Sequence, residues 1–256
     1  MLLGIDHVVI ACDDLDAAAA RMERDLGLRV SEGGRHERLG TENRLVWLGD
    51  SYLELIAVTD PSVAATSWLG APTVAALDRG DGLATYALAS DDLAGDLERL
   101  RASGARLDGP IDGERVRPDG AVVRWRFALP PKLGPDQPPF LIEHDTTSAE
   151  WTPDAREARA ADLQLLDAAV RLSGLELPVA DVATTQGRYL RSLALLFRPS
   201  LAGSGARDVT IGSHTIRLRR ARHHELPVIR LDVLAAAGRS LSAELLGCRF
   251  ELVPAP

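Results

Sequence analysis

Cysteine, lysine, aromatic residues and long apolar runs are all scarce in this sequence, and each scarcity excludes something. Two cysteines in 256 residues are too few for a disulfide framework. Cys12 and Cys248 each fall in an apolar, strand-like stretch, and they are expected as buried free thiols in a reducing cytoplasm. Of 29 basic residues only Lys132 is a lysine, and the net charge is -8. Such a chain lacks the basic surface that neutralises phosphates, so nucleic acid is not an expected partner. No stretch approaches the roughly 20 apolar residues of a membrane helix, so no membrane partner is expected either. The start, MLLGIDHVVIACDDL, is interrupted by Asp6 and His7 with no basic residue ahead of them, which argues against a leader peptide or an anchor. Aromatic residues make up 4% of the chain, few for a site that stacks planar ligands. The apolar share, 46%, is enough for one large core or two small ones.

What the sequence does have is a repeat. The strand GIDHVVIAC runs into Asp13-Asp14, which suit a helix start, and LDAAAARMERDLG follows with Gly27 to end the helix. Short strands are expected near 28–31, 43–48 and 51–58, separated by glycine-containing turns. The same βαβββ order returns as LATYALAS, Asp91-Asp92-Leu93, a helix closed by Gly104, and the strands AVVRWRFALP and PFLIEHD. Aligned on the Asp-Asp-Leu triplets, His7 falls opposite Thr85; aligned on the final strands, Glu54 of YLELI falls opposite Glu143 of FLIEH. The second copy is longer, and the proline-rich PPKLGPDQPP at 130–139 is read as the inserted loop. Residues 59–82 link the copies, Thr152-Pro153 opens a helix expected over 154–170, and further strands suggest a degenerate third copy.

With these motifs in view, the chain resembles the vicinal-oxygen-chelate superfamily and, within it, the glyoxalase-like domain family. GIDHVVIACDDLDAA, GGRHERLGTENRLVWLGDSYLELI, VVRWRFALP and PFLIEHD carry the resemblance, over residues 4–145. It implies an α+β fold in which paired βαβββ modules, 4–58 and 83–145, form a curved, cup-like mixed sheet with helices outside. This domain occupies 1–150, and residues 154–256 form a C-terminal α+β unit, a partial third module. The resemblance also implies a divalent metal in the cup, held by His7, Glu54 and Glu143, with Thr85 at the fourth position as a poor ligand. Such an oxygen-rich set suits Mn, Fe, Ni, Zn or Mg.

Strand alternation then sets faces. Tyr52, Glu54 and Ile56 share one side of their strand and Leu53 and Leu55 the other. If the leucines meet the helix, Glu54 points into the cup, where a lone carboxylate is costly without a proton, a cation or a metal. His7 shares its side with Ile5 and Val9. Glu143 shares its side with Leu141, opposite His144, which is therefore read as structural. The competing reading for both glutamates is an ion pair with Arg124 or Arg126. His36 is a candidate acid or base beside Glu143, and Thr85, Trp47, Tyr52, Asn43 and Arg124 are candidate substrate contacts, with turn chemistry and core packing as the alternatives. The run RLRRARHH at 217–224 reads as a half-exposed strand. Glu251 echoes Glu54, but no further site is expected around it.

Three functions are consistent with this. The first is a metal-dependent lyase, isomerase or dioxygenase acting on a small oxygenated metabolite. The second is a metal-free small-molecule binding protein of the bleomycin-resistance kind. The third is a scaffold whose odd third unit pairs with another chain, as in a homodimer.

Overall fold

The computed structural model describes residues 1–117, 119–201, 203, 205–222, 225–234 and 240–255. The first module is β1 (Leu2–Ala11), α1 (Leu15–Leu26), β2 (Ser31–His36), β3 (Thr41–Leu48) and β4 (Ser51–Val58). Two helices follow, α2 (Pro61–Ala64) and α3 (Gly70–Leu77). The second module is β5 (Gly82–Ser90), α4 (Leu93–Ala102), β6 (Asp108–Val116), β7 (Val122–Leu129) and β8 (Phe140–His144). The helix starts form as the acidic pairs suggested: Asp14 accepts from the amides of Asp16 and Ala17, and Asp92 from that of Gly95. Each cap satisfies helix-end amides that have no partner within the helix. Gly27, at φ 64°, takes the left-handed turn that ends α1.

These strands make one eight-stranded sheet in the order β2-β3-β4-β1-β5-β8-β7-β6. β1 runs parallel to β4, β5 runs parallel to β8, and the modules join through an antiparallel β1–β5 pair. The paired βαβββ architecture is therefore present. Strand β6 escapes a hydropathy reading because it lies at the sheet edge and is largely exposed, so nothing forces apolar alternation on it. Residues 59–82 do more than link: α3 packs across β1, β4 and β5, and its Ala76, with Leu69 just before it, buries against Val9, Ala11, Ile56 and Ala84 on the inner face.

The rest of the chain is α5 (Pro153–Ala161), β9 (Ala169–Val179), α6 (Val182–Leu193), β10 (Arg198–Pro199), β11 (Arg207–Ile211), β12 (His214–Arg220), β13 (Val228–Leu234), β14 (Leu241–Leu245) and β15 (Cys248–Pro254). The helix expected over 154–170 stops at Ala161. Beyond it Gln164 donates to the Trp47 carbonyl and accepts from the Arg29 amide, and these tertiary bonds replace further helical turns. A second sheet has the order β10-β11-β12-β9-β13-β15-β14. The third βαβββ unit is here as β9 to β12, and β13, β15 and β14 continue it in the places that β5, β8 and β7 hold in the first sheet. The third unit is thus paired within the chain, through β9 and β13.

Both sheets turn their helix-covered sides to a common core. Val8, Ile10, Leu53, Leu55 and Leu141 of the first sheet join Met22, Leu97 and Tyr189 of the helices and Leu175, Leu218, Ile229 and Phe250 of the second sheet. Burying each such large side chain contributes about 1.5–3 kcal/mol. Cys12 and Cys248 are buried and free, and burial pushes both thiols up, that of Cys248 to about 12. On its other face the second sheet carries Glu176, bonded by Arg219 at 2.7 Å and Arg230 at 3.2 Å, with Arg230 also meeting Glu251 at 2.7 Å. In that face Arg217 pairs with Asp208 at 2.8 Å and Arg219 with Glu176 at 2.7 Å, and His223 and His224 lie outside the described residues.

Candidate functional site

The inner face of the first sheet is where the sequence motifs converge. His7 (β1), Asn43 (β3), Tyr52 and Glu54 (β4) all point into the cup and are buried. Glu54 is 5% exposed. Its Oε1 accepts from Asn43 Nδ2 at 2.6 Å, and its Oε2 lies 3.5 Å from His7 Nε2. Asn43 Oδ1 in turn accepts from the Gly34 amide at 2.8 Å. Alternation around Glu54 holds because Leu53 and Leu55 enter the shared core. Ile5 does not share the side of His7, since the β1–β5 register shifts between them and Ile5 joins the core instead.

The second module departs from expectation. Glu143 does not reach the cup: it lies with Leu141 on the helix side, accepts from the Leu93 amide at the start of α4 at 3.0 Å, and pairs with Arg126 at 2.8 Å. A carboxylate at a helix N-terminus beside an arginine is well placed electrostatically, and these bonds hold Glu143 on the helix side of β8. His144, expected to face away, faces in. The reason is register. Val9 stands opposite Glu54, and its counterpart Ala87 stands opposite Phe140, so the residue in the place of Glu54 is Phe140, three positions before the glutamate that the motif suggested. Thr85 is fully buried, and its hydroxyl has no hydrogen-bond partner. Arg124 is exposed, lies 3.6 Å from Glu114, and lines the wider outer cleft rather than the aromatic cavity.

These positions test the metal that the resemblance implies. The four inner positions are occupied by His7, Glu54, Thr85 and Phe140, which supply one nitrogen and one carboxylate. Among the described residues no group of three or more His, Cys, Asp or Glu is placed to hold a metal ion. The residues do not fit a site built from three protein donors.

They form instead an aromatic cavity. All four tryptophans of the protein, Trp47, Trp68, Trp125 and Trp151, line it together with Tyr52 and Phe140. Scarcity of aromatics overall conceals their concentration here. His7 stacks on Tyr52 with centroids 4.5 Å apart, His144 stacks on Trp151 at 3.6 Å, and Trp68 from the segment before α3 stacks on Phe127 at 4.7 Å. Behind the wall, Asp6 bridges the two histidines, 2.6 Å from His7 Nδ1 and 3.1 Å from His144 Nε2. Burial alone raises the Asp6 pKa, but the charge and hydrogen bonds of His144 and His7 outweigh it and hold the carboxyl well below its ordinary range. His36, at the cavity edge, bonds Thr41 Oγ1 at 3.1 Å. Burial lowers its pKa, with Glu54 opposing and Arg115 assisting, so it is neutral near pH 7.

Asp6, Trp68, Arg115, Glu150 and Trp151 were missed by motif reasoning. The one usable signal was the tryptophans, four large side chains in a sequence that otherwise avoids rings.

Comparison with solved structures places the fold. A hypothetical protein from Staphylococcus aureus superposes over 100% of both chains with a TM-score of 0.80 at 16% identity. Methylmalonyl-CoA epimerase from Mycobacterium tuberculosis matches 55% of this chain and 87% of its own at 25% identity, with a TM-score of 0.41. A Streptomyces coelicolor methylmalonyl-CoA epimerase in complex with 2-nitronate-propionyl-CoA matches 56% and 98% at 25% identity, with a TM-score of 0.42. No curated protein matches the sequence. The glyoxalase-like domain family matches residues 5–193, most of the chain, and with the paired βαβββ sheet already described, the protein belongs to that family.

Proposed function

We propose that the cavity binds a small, planar, oxygenated molecule and that Glu54 moves a proton on it, a lyase or isomerase type of step. One observation carries this reading: a buried carboxylate stands in an aromatic cavity with a neutral amide on one oxygen and an imidazole nitrogen 3.5 Å from the other. Carboxylates so placed are suited to abstracting a proton next to a carbonyl. Asn43 fixes the orientation of Glu54, and His36, neutral near pH 7, is available to donate to or accept from a ligand oxygen. At the four inner positions a metal-dependent form of this chemistry would have His7 and Glu54 as its imidazole and carboxylate donors.

A second reading, sequestration without chemistry, is supported by the tryptophan walls, which stack planar ligands well. Wild-type protein in D2O, incubated with a panel of small oxo compounds and followed by NMR, separates the two. The catalytic reading expects deuterium to enter the carbon next to the carbonyl, and Glu54→Gln to abolish this while tryptophan quenching by the ligand persists. Quenching without exchange in the wild type supports sequestration and ends the catalytic reading.

A further inference from the structure

One ion pair in the cavity wall is built from parts that no motif joins. Arg115 comes from the edge strand β6 and is 7% exposed; Glu150 comes from the connector after β8 and is 8% exposed. Arg115 Nη2 donates to Glu150 Oε2 at 2.8 Å, and Nη1 donates to the Gly33 carbonyl at 3.3 Å. Space for this arginine is provided by Gly34, where a Cβ would stand 2.9 Å from Arg115 Cδ. Both side chains line the same cavity as Glu54, and among the described lining residues Arg115 is the one arginine or lysine.

Taking charges into a protein interior is costly, and such a pair is retained only with good geometry or a use. The surroundings of Glu150 make exchange feasible. Its other oxygen, Oε1, lies 3.8 Å from Arg117 Nε, and Arg117 is partly exposed. If another carboxylate took the place of Glu150 on Arg115, Glu150 would keep a cationic partner with access to water, and no buried charge would be stranded.

We propose that Arg115 is the specificity-determining contact of the cavity, that the ligand is a small carboxylate, and that in its absence Glu150 occupies the position of the ligand's own carboxylate group. This rests on the cavity being the ligand site, as proposed above, and adds the class of molecule. The carboxylate end docks at Arg115, whose planar guanidinium takes two oxygens at once. The reacting end lies toward Glu54, which lines the same cavity.

The test uses full-length protein and four acids, pyruvate, phenylpyruvate, benzoate and indole-3-acetate, each against its neutral amide, with binding read by tryptophan fluorescence. Acids are expected to bind better than amides. Glu150→Gln is expected to tighten acid binding by roughly tenfold, the effect of removing a competitor worth about 1.4 kcal/mol, and to leave amide binding unchanged. Arg115→Gln and the charge-retaining Arg115→Lys are expected to lose the preference for acids, the glutamine variant entirely. Urea midpoints of each variant check folding. A purely structural ion pair would lower stability in both the Glu150 and Arg115 variants without moving the acid-to-amide ratio, and that result overturns the proposal. So does failure of every acid to bind Glu150→Gln. Equal binding of acids and amides sinks the proposal while leaving the Glu54 reading intact; loss of deuterium exchange specificity for Glu54 does the reverse.

Discussion

Asn43 donates to Glu54 across the β3–β4 ladder at 2.6 Å, and its own carbonyl oxygen is taken by the Gly34 amide. The amide therefore holds the buried carboxylate in one orientation and ties it to Gly34, where the β2–β3 register shifts. Asn43→Ala leaves Glu54 with an unsatisfied oxygen, which costs about 1.5–3 kcal/mol for a hydrogen bond to a charged group. Urea unfolding is expected to show that loss, and ligand titration to show weaker binding in the same variant. An unchanged midpoint would mean that Glu54 finds another partner.

Asp6 gives a pH signature. Its native carboxyl titrates below the ordinary range, so the unfolded chain binds its proton first as pH falls. The stability that Asp6 contributes is complete above about pH 5 and is lost as pH drops through the ordinary carboxylate range near 4 toward the native value. Asp6→Asn is expected to lower stability at pH 7 by roughly 3 kcal/mol or more, as for a broken buried pair, and to flatten the fall between pH 5 and pH 3. Parallel stability curves for wild type and variant would contradict the assignment.

Glu143 lies on the helix side, so Glu143→Ala is expected to leave ligand binding and proton exchange untouched. Its measurable effect is on stability, about 0.5–2 kcal/mol for the lost contact with the start of α4. Glu54→Gln behaves the opposite way, silencing exchange with a smaller change in unfolding midpoint. If Glu143→Ala removed activity, the register of β8 would have to be different.

A buried hydroxyl chain joins the first sheet to α6. Tyr86 donates to Tyr189 at 2.9 Å, and Tyr189 donates to the Gln137 carbonyl at 3.0 Å. Tyr189→Phe leaves both neighbours unpaired, a cost of about 1–3 kcal/mol, to be read as a lower thermal midpoint. Both hydroxyls are buried, and burial raises the pKa of each, so the loss is expected to be the same from pH 6 to pH 9.

The sequence alone determined the duplicated βαβββ order, because helix caps such as Asp14 and Asp92 and the alternation of apolar residues are local and survive translation into any tertiary context. It also placed Glu54 inside the cup, since Leu53 and Leu55 on either side of it had to be buried against helices. Only the tertiary structure decided the face of Glu143, because FLIEH is apolar on both parities and a one-residue choice of side moves every group in the strand. The register of β8 against β5 made that choice, with Phe140 taking the place of Glu54. The same holds for Trp68, Arg115, Glu150 and Trp151: they come from a link, an edge strand and a connector, whose sequences carry no period, and they meet at one cavity only because the folded chain brings those three segments together.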